Sequence, residues 1–532
     1  MEALCRYWGF LKYFHPSIQK GKIDWDKSLI EIIPEINNDS SIAHFNFQLV
    51  KIRRFLDPIR KINSSFQYLT KDSSLSILNF KWTSDSSIFS SENIEFMTDV
   101  YSNYRPRKNV YVKNEFNYYY GYKGMEKYYS TVPYFPDRNE CLLSFFKYWN
   151  AVNYFYSYKY YMDQNWNDIL IEFLPQILES AGTENFYFTI SRLIAKISDC
   201  HSYTDNYLIN HSIGISKSIV DWTFSPIKVK FIEDSTIITQ VALNMSEKSN
   251  INIGDIILKI NGVAIKVIRD SLRNYYGCST ENSINREIDA GIFTSFFVNT
   301  DSIIHLTLLD SLGIKEVSFL NKRLGFSDTK LVSYLVKDSV AYIDLSRITK
   351  SEFRKLYRNY SYCKGLIIDL RNGALFPLSA SIALRFKKVK KDTRVFALYL
   401  RNDWKFPGTF LPDSSKMYYL GLHIFHKSYK GKVILLIDEN IQSTFEYELM
   451  SLKHMFNVTT LGSNTSGTDG VASSFLIQRN ILTYFTTDRV LYPDGTPIQR
   501  IGITPDIYCI PTLQSIRNNR DELIFRAAEI IE

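Results

Sequence analysis

The sequence has few of the residues that mark fibrous, cross-linked or linker-rich chains. Glycine (22) and proline (15) are scarce among 532 residues, which excludes a collagen-like or low-complexity polypeptide. Six cysteines (Cys5, Cys141, Cys200, Cys278, Cys363, Cys509) are scattered without CxxC spacing, so neither a zinc site nor a dense disulfide framework is indicated. No apolar run approaches the roughly 20 residues of a membrane-spanning helix, and no cofactor or metal motif is present. The net charge is only +8, from 63 Lys+Arg against 55 Asp+Glu. The short basic runs Arg105–Lys108 and Lys387–Lys391 are interrupted or flanked by apolar and acidic residues. They read as solvated surface, and no nucleic-acid partner is expected. The opening MEALCRYWGFLKYF lacks a basic region and a small-residue cleavage site, so no export signal is expected in it.

What is present is ordinary globular composition, 45% hydrophobic and 22% charged, with an unusual 15% of aromatics. At about 100–200 residues per domain, three or more units are expected. Much of the aromatic surplus belongs to a repeat. Residues 7–34 recur at 148–175 with a constant offset of 141, matching Tyr7/Tyr148, Trp8/Trp149, Trp25/Trp166 and Pro34/Pro175. The shared positions are apolar at helical spacing, so each copy reads as a small helical unit that buries its aromatics. The copies diverge where the first reads FLDPIR (55–60) and the second KISDCHSYT (196–204). The cluster Asp199–Cys200–His201–Ser202 therefore lies outside the repeated packing pattern. A lone histidine is more often structural than catalytic, but packing does not require this one.

The expected order is a helical unit at 1–57, a strand and loop insert at 58–137, and a second helical unit at 138–215 carrying His201. A strand-rich module follows at 222–325, then an α/β unit at 330–532. In the strand-rich module, NIGDIILKINGVAI resembles the end of a PDZ domain. Such domains bind extended peptides or chain ends by strand addition. In the last unit GLIIDLR and GKVILLID are continuous apolar runs suited to a sheet covered on both faces. Helices are expected at 350–360, near 378–387 and from about Gln442. Ser443 stands where strand feeds helix. Such a serine either caps the helix or presents its hydroxyl to a substrate beside free helix-terminal N–H groups, of which Thr444 offers the first.

The succession of a D-C-H segment, a PDZ-like module, GLIIDLRN, ENIQSTFE, TSGTDG and YPDGTPIQRIGITPDI resembles the tail-specific, or carboxyl-terminal-processing, serine protease family, and looks closest to its tricorn-like branch. The resemblance implies a multidomain α+β protein with a C-terminal α/β, crotonase-like protease core. It implies a polypeptide substrate, with its C-terminus a candidate for recognition, no cofactor, and relatives that are generally exported. Carried over residue by residue, it puts Ser443 in the nucleophile role and His201 in that of general base. The oxyanion hole would use the N–H of Thr444 and one from Gly373 or Ala374. Relatives with a Ser/Lys dyad have a lysine in the loop that here reads TSGTDG, where residue 468 is threonine, so the dyad is not expected. The acid that supports the histidine would fall near Gln499, which cannot neutralise an imidazolium. Glu446 and Asp199 are alternative orienting acids. A catalytically inactive relative acting as a peptide- or ligand-binding scaffold is the competing reading. An aromatic-lined carbohydrate- or lipid-binding protein would instead expose Trp8, Trp25, Trp149 and Trp166.

Overall fold

The computed structural model describes residues 1–61, 76–105, 107, 109–112, 116–117, 121–124, 135–205, 226–242, 250–293, 303–321, 326, 331–378, 395–417, 429–478 and 481–532. The repeat folds as two helix pairs. Glu2–Phe14 is followed by Trp25–Asn37, and Arg138–Phe155 by Trp166–Glu179. The second helix of each pair starts on a side-chain cap, from Asp24 or Asn165. In the first copy the Trp8 indole N–H donates to the Trp25 carbonyl and that of Trp25 to the Trp8 carbonyl, both at 3.0 Å. Trp149 and Trp166 make the same reciprocal pair at 2.9 Å. A buried indole needs an acceptor for its one N–H, and each copy supplies both acceptors internally. All four tryptophans are buried, so they form core and not an exposed platform for sugar or lipid.

The insert between the copies was expected as strands and loops, but it contains the helix Ser91–Ser102. Ser90 caps that helix, and Met97 and Val100 pack it against the core. Its polar helical face hides this periodicity in the sequence. Part of NVYVKNEFNYYYGY (109–122), and all but the first residue of the helix expected near 378–387, lie outside the described residues.

The segment 227–320 holds an antiparallel sheet in the order Ile227–Ile232, Ser235–Val241, Ile256–Ile260, Ile303–Leu309, Ile314–Leu320. The helices Ile265–Arg273 and Glu281–Gly291 accompany it. Two tight turns, Glu233–Asp234 and Asn261–Gly262, have positive φ at both residues, as two-residue hairpin turns require.

The C-terminal unit is built on a mixed sheet. Ser333–Lys337 pairs antiparallel with Val340–Asp344. Then Gly365–Asp369, Lys432–Ile437, Thr459–Gly462 and Ile507–Tyr508 follow in parallel. The expected apolar runs are its central strands. Alternate residues face two separate cores. Leu366, Ile368, Leu435 and Ile437 pack with Phe353 and Leu449 on one side, and Ile367, Ile434 and Leu436 pack with Ala527 and Ile531 on the other. Among the described residues, no helix is long and apolar enough to cross a membrane.

Candidate active site

Ser443 is the last residue before the helix Thr444–Met455, which follows the sheet strand Lys432–Ile437 across a six-residue turn. Its backbone sits at φ 58°, ψ −126°, a region that residues with a Cβ rarely occupy and that marks a position held by its surroundings. Two partners hold it. The Ser443 N–H donates to the Thr468 carbonyl at 2.9 Å and lies 3.3 Å from a Glu446 carboxylate oxygen. Glu446, fully buried one turn into the helix, also accepts from the N–H groups of Gly467 (2.8 Å) and Thr468 (2.9 Å) and from the Thr465 hydroxyl. Burial pushes its carboxyl up to about 8. Glu446 thus ties the serine turn to the loop 465–468 and makes no hydrogen bond to His201 among the described residues.

The same loop meets the segment that carries His201. The Cys200 N–H donates to the Thr468 hydroxyl at 3.3 Å, so Thr468 contacts Ser443 through its carbonyl and Cys200 through its side chain. After His201 the chain forms the short strand Tyr203–Asp205, which pairs antiparallel with Ile481–Thr486. This pairing sets His201 beside Thr486. The imidazole Nδ1 lies 2.9 Å from the Thr486 hydroxyl. Asp199, fully buried, accepts from the N–H groups of His201 (3.0 Å) and Thr486 (2.8 Å), and its carboxylate lies 4.0 Å from His201 Nδ1. Gln499 is buried too, but its amide donates to the Ser279 hydroxyl at 3.1 Å, and Ser279 in turn bonds the Thr468 hydroxyl.

Of the oxyanion candidates, Thr444 opens the helix, where the first N–H groups have no intrahelical acceptor. Gly373 has φ 78°, and a side chain there would begin 3.4 Å from the Phe445 ring, so its loop lies against the same helix end. The Gly373 N–H is engaged by the Leu370 carbonyl at 2.8 Å. That of Ala374 has no partner among the described residues. Sequence reasoning missed Thr468 as the common partner, Thr486 beside the imidazole, and Arg286 (below). Each makes polar contacts between distant segments, with no periodic signature.

The model of peptidase family S41 matches residues 339–509, the stretch that includes Ser443 and the loop 465–468. That stretch is thus similar to peptidase family S41, the tail-specific proteases. The match implies a serine-type peptidase. Among solved structures, mature CPAF complexed with lactacystin is 13% identical, with 74% of this chain and 98% of that chain covered and a TM-score of 0.54. Mature CPAF alone is 13% identical over 71% of this chain and 94% of its own, at TM-score 0.50. The photosystem II D1 C-terminal processing protease covers 71% and 97% at 15% identity and TM-score 0.38. The likeness to the two CPAF structures is one of fold. Comparison with curated proteins finds no match.

Proposed function

We propose that the chain is a serine endopeptidase acting on unfolded or C-terminal polypeptide segments, with Ser443 as nucleophile and His201 as general base. The observation that carries this reading is the strained Ser443 backbone at a helix N-terminus, tied through Thr468 to the segment of His201, which lies outside the repeated packing pattern. A serine that only capped its helix would take the ordinary extended cap conformation.

In the reaction, Ser443 Oγ attacks the peptide carbonyl carbon while His201 Nε2 takes the hydroxyl proton. His201 Nδ1–H donates to Thr486, and the Asp199 carboxylate stabilises the imidazolium from 4.0 Å. The negative oxygen of the tetrahedral intermediate accepts from the N–H groups of Thr444 and Ala374. His201 then protonates the leaving amine as the C–N bond breaks. A water, deprotonated by the same imidazole, attacks the Ser443 ester and releases the acid. Glu446 and Gln499 act through the loops they hold and not on the imidazole. The 222–325 module would present the peptide, in keeping with its PDZ-like motif.

Fluorophosphonate labelling tests the assignment. Wild type is expected to label at Ser443 and to hydrolyse an unfolded protein substrate. Ser443→Ala should do neither, and His201→Ala should label at least about a hundredfold more slowly. Equal labelling of wild type and Ser443→Ala, or none in a folded wild type, would overturn the nucleophile. Near-normal turnover by His201→Ala would remove the base.

A further inference from the structure

The internal repeat provides a reference for a cavity that peptide hydrolysis does not use. A cavity of about 1040 Å³ lies against the second copy, and its wall includes Trp149, Asn153, Trp166 and Asn167 of that copy and Arg6 of the first. Under the 141-residue offset these are the counterparts of Trp8, Lys12, Trp25, Asp26 and Lys147. In the first copy those residues form a closed core built around a buried carboxylate. The Lys147 ammonium lies 2.6 Å and that of Lys12 3.8 Å from the buried Asp26 carboxylate, and Lys12 covers the Trp8 ring at 4.6 Å.

In the second copy the carboxylate is gone. Asn167 replaces Asp26 and Asn153 replaces Lys12, yet the cation contributed by the opposite copy is kept as Arg6. The Arg6 guanidinium pairs with Glu2, but its Nε is buried with no hydrogen-bond partner among the described residues. Lys159 joins the same wall. Its ammonium donates to the Asn153 carbonyl (2.8 Å) and side-chain oxygen (2.9 Å), and it meets no carboxylate among the described residues. Lys81 and Arg489 complete four cationic side chains, and none of the described lining residues is acidic. Burial pushes the Lys159 ammonium down to about 7, as expected where a cation lacks the counter-charge that Lys147 has in the first copy.

We propose that this cavity binds a small organic monocarboxylate with an apolar body, its carboxylate taking beside Arg6 and Lys159 the place that Asp26 takes in the first copy. Met162, Leu398, Leu400 and Leu491 supply apolar wall for the body. Two sources share this chemistry, an alkanoate and the carboxyl end of a short peptide. The inference stands independently of the catalytic reading.

The test uses the full chain at pH 7, read by tryptophan fluorescence titration and thermal shift. The probes are octanoate against octanamide, and N-acetyl-Ala-Leu against its C-terminal amide. At least one acid is expected to bind saturably and about tenfold or more tighter than its neutral counterpart; which acid does so identifies the source. Asn167→Asp, which places the carboxylate in the chain, should melt above wild type without ligand and bind the acid about tenfold or more weakly. Lys159→Gln should weaken binding likewise while Ser443 still labels at the wild-type rate. The proposal is overturned if neither acid saturates, if acid and neutral probes bind equally, or if a folded Asn167→Asp keeps wild-type affinity. If Asn167→Asp does not fold, unchanged affinity in Lys159→Gln overturns it.

Discussion

At Ser443 the backbone has been bent out of the conformation that its side chain prefers. A φ of 58° with ψ −126° costs of order 1–3 kcal/mol for a residue with a Cβ, whereas glycine adopts positive φ freely. Two hydrogen bonds to the Ser443 N–H and the four donors gathered on Glu446 hold the turn against that cost. The strain therefore gives a prediction separate from activity. Ser443→Gly should raise the melting temperature of the C-terminal unit relative to Ser443→Ala, by roughly 1–2 kcal/mol of stability, while both abolish labelling. Equal melting temperatures for the two variants in calorimetry would show that the turn is not strained.

Between elements, the helix Glu281–Gly291 of the 227–320 segment grips the turn that leads to Ser443. Arg286 donates to the Glu439 carbonyl (2.6 Å) and the Gln442 side chain (2.9 Å), and Ser283 donates to the Ser466 carbonyl at 3.0 Å. The guanidinium fork makes both turn contacts while also pairing with Glu287, which a single ammonium cannot reproduce. Arg286→Lys keeps the charge but loses one arm. Its fluorophosphonate labelling is expected to be about tenfold or more slower, since small displacements of a reacting group are costly, with the melting temperature within a few degrees of wild type. An unchanged labelling rate would mean that the turn holds its shape without this helix. None of this contact is legible in the sequence, because Arg286 and Gln442 are 156 positions apart and a one-to-one polar contact leaves no pattern. Periodic features were readable. The aromatic repeat, the apolar central strands and the strand-to-helix step at Ser443 all follow from spacing. The helix Ser91–Ser102 was not, because only Met97, Val100 and the capped Asn93 are buried in it.

Across the whole molecule, the unit that carries His201 is joined to the sheet unit by buried polar contacts that respond to pH. The Ser157 hydroxyl donates to the carbonyls of Thr486 and Asp488, Arg489 donates back to the Ser157 carbonyl, and Tyr158 bonds both the N–H and the carbonyl of Val490. Two buried carboxyl groups sit in this seam. Asp469 has one oxygen bonded to the Gly470 N–H and the other without a partner among the described residues, and burial pushes it up to about 7. Asp488, which accepts from the Asn402 N–H and the Tyr399 hydroxyl, is pushed up to about 6, again mainly by burial. For an acid raised in the folded state, the native form holds the extra proton. Its stabilisation is complete below the unfolded value near 4 and is lost as pH rises through the folded value. Lys159 acts oppositely. Lowered to about 7, it adds stability only as pH climbs from there toward its unfolded value near 10. The melting temperature is therefore expected to fall by several degrees from pH 5 to pH 7.5, then to level off at higher pH. Asp469→Asn keeps the shape of the neutral acid and titrates nothing, so it should remove part of that fall, the rest coming from Asp488 and from Glu446, raised to about 8, and calorimetry across the range checks both. A wild-type melting temperature that rises steadily from pH 5 to pH 8 would mean that these carboxyl groups are ionised in the folded seam. The N-terminal unit would then be docked by charge, and the hydrogen bonds of Ser157 and Tyr158 would be secondary to it.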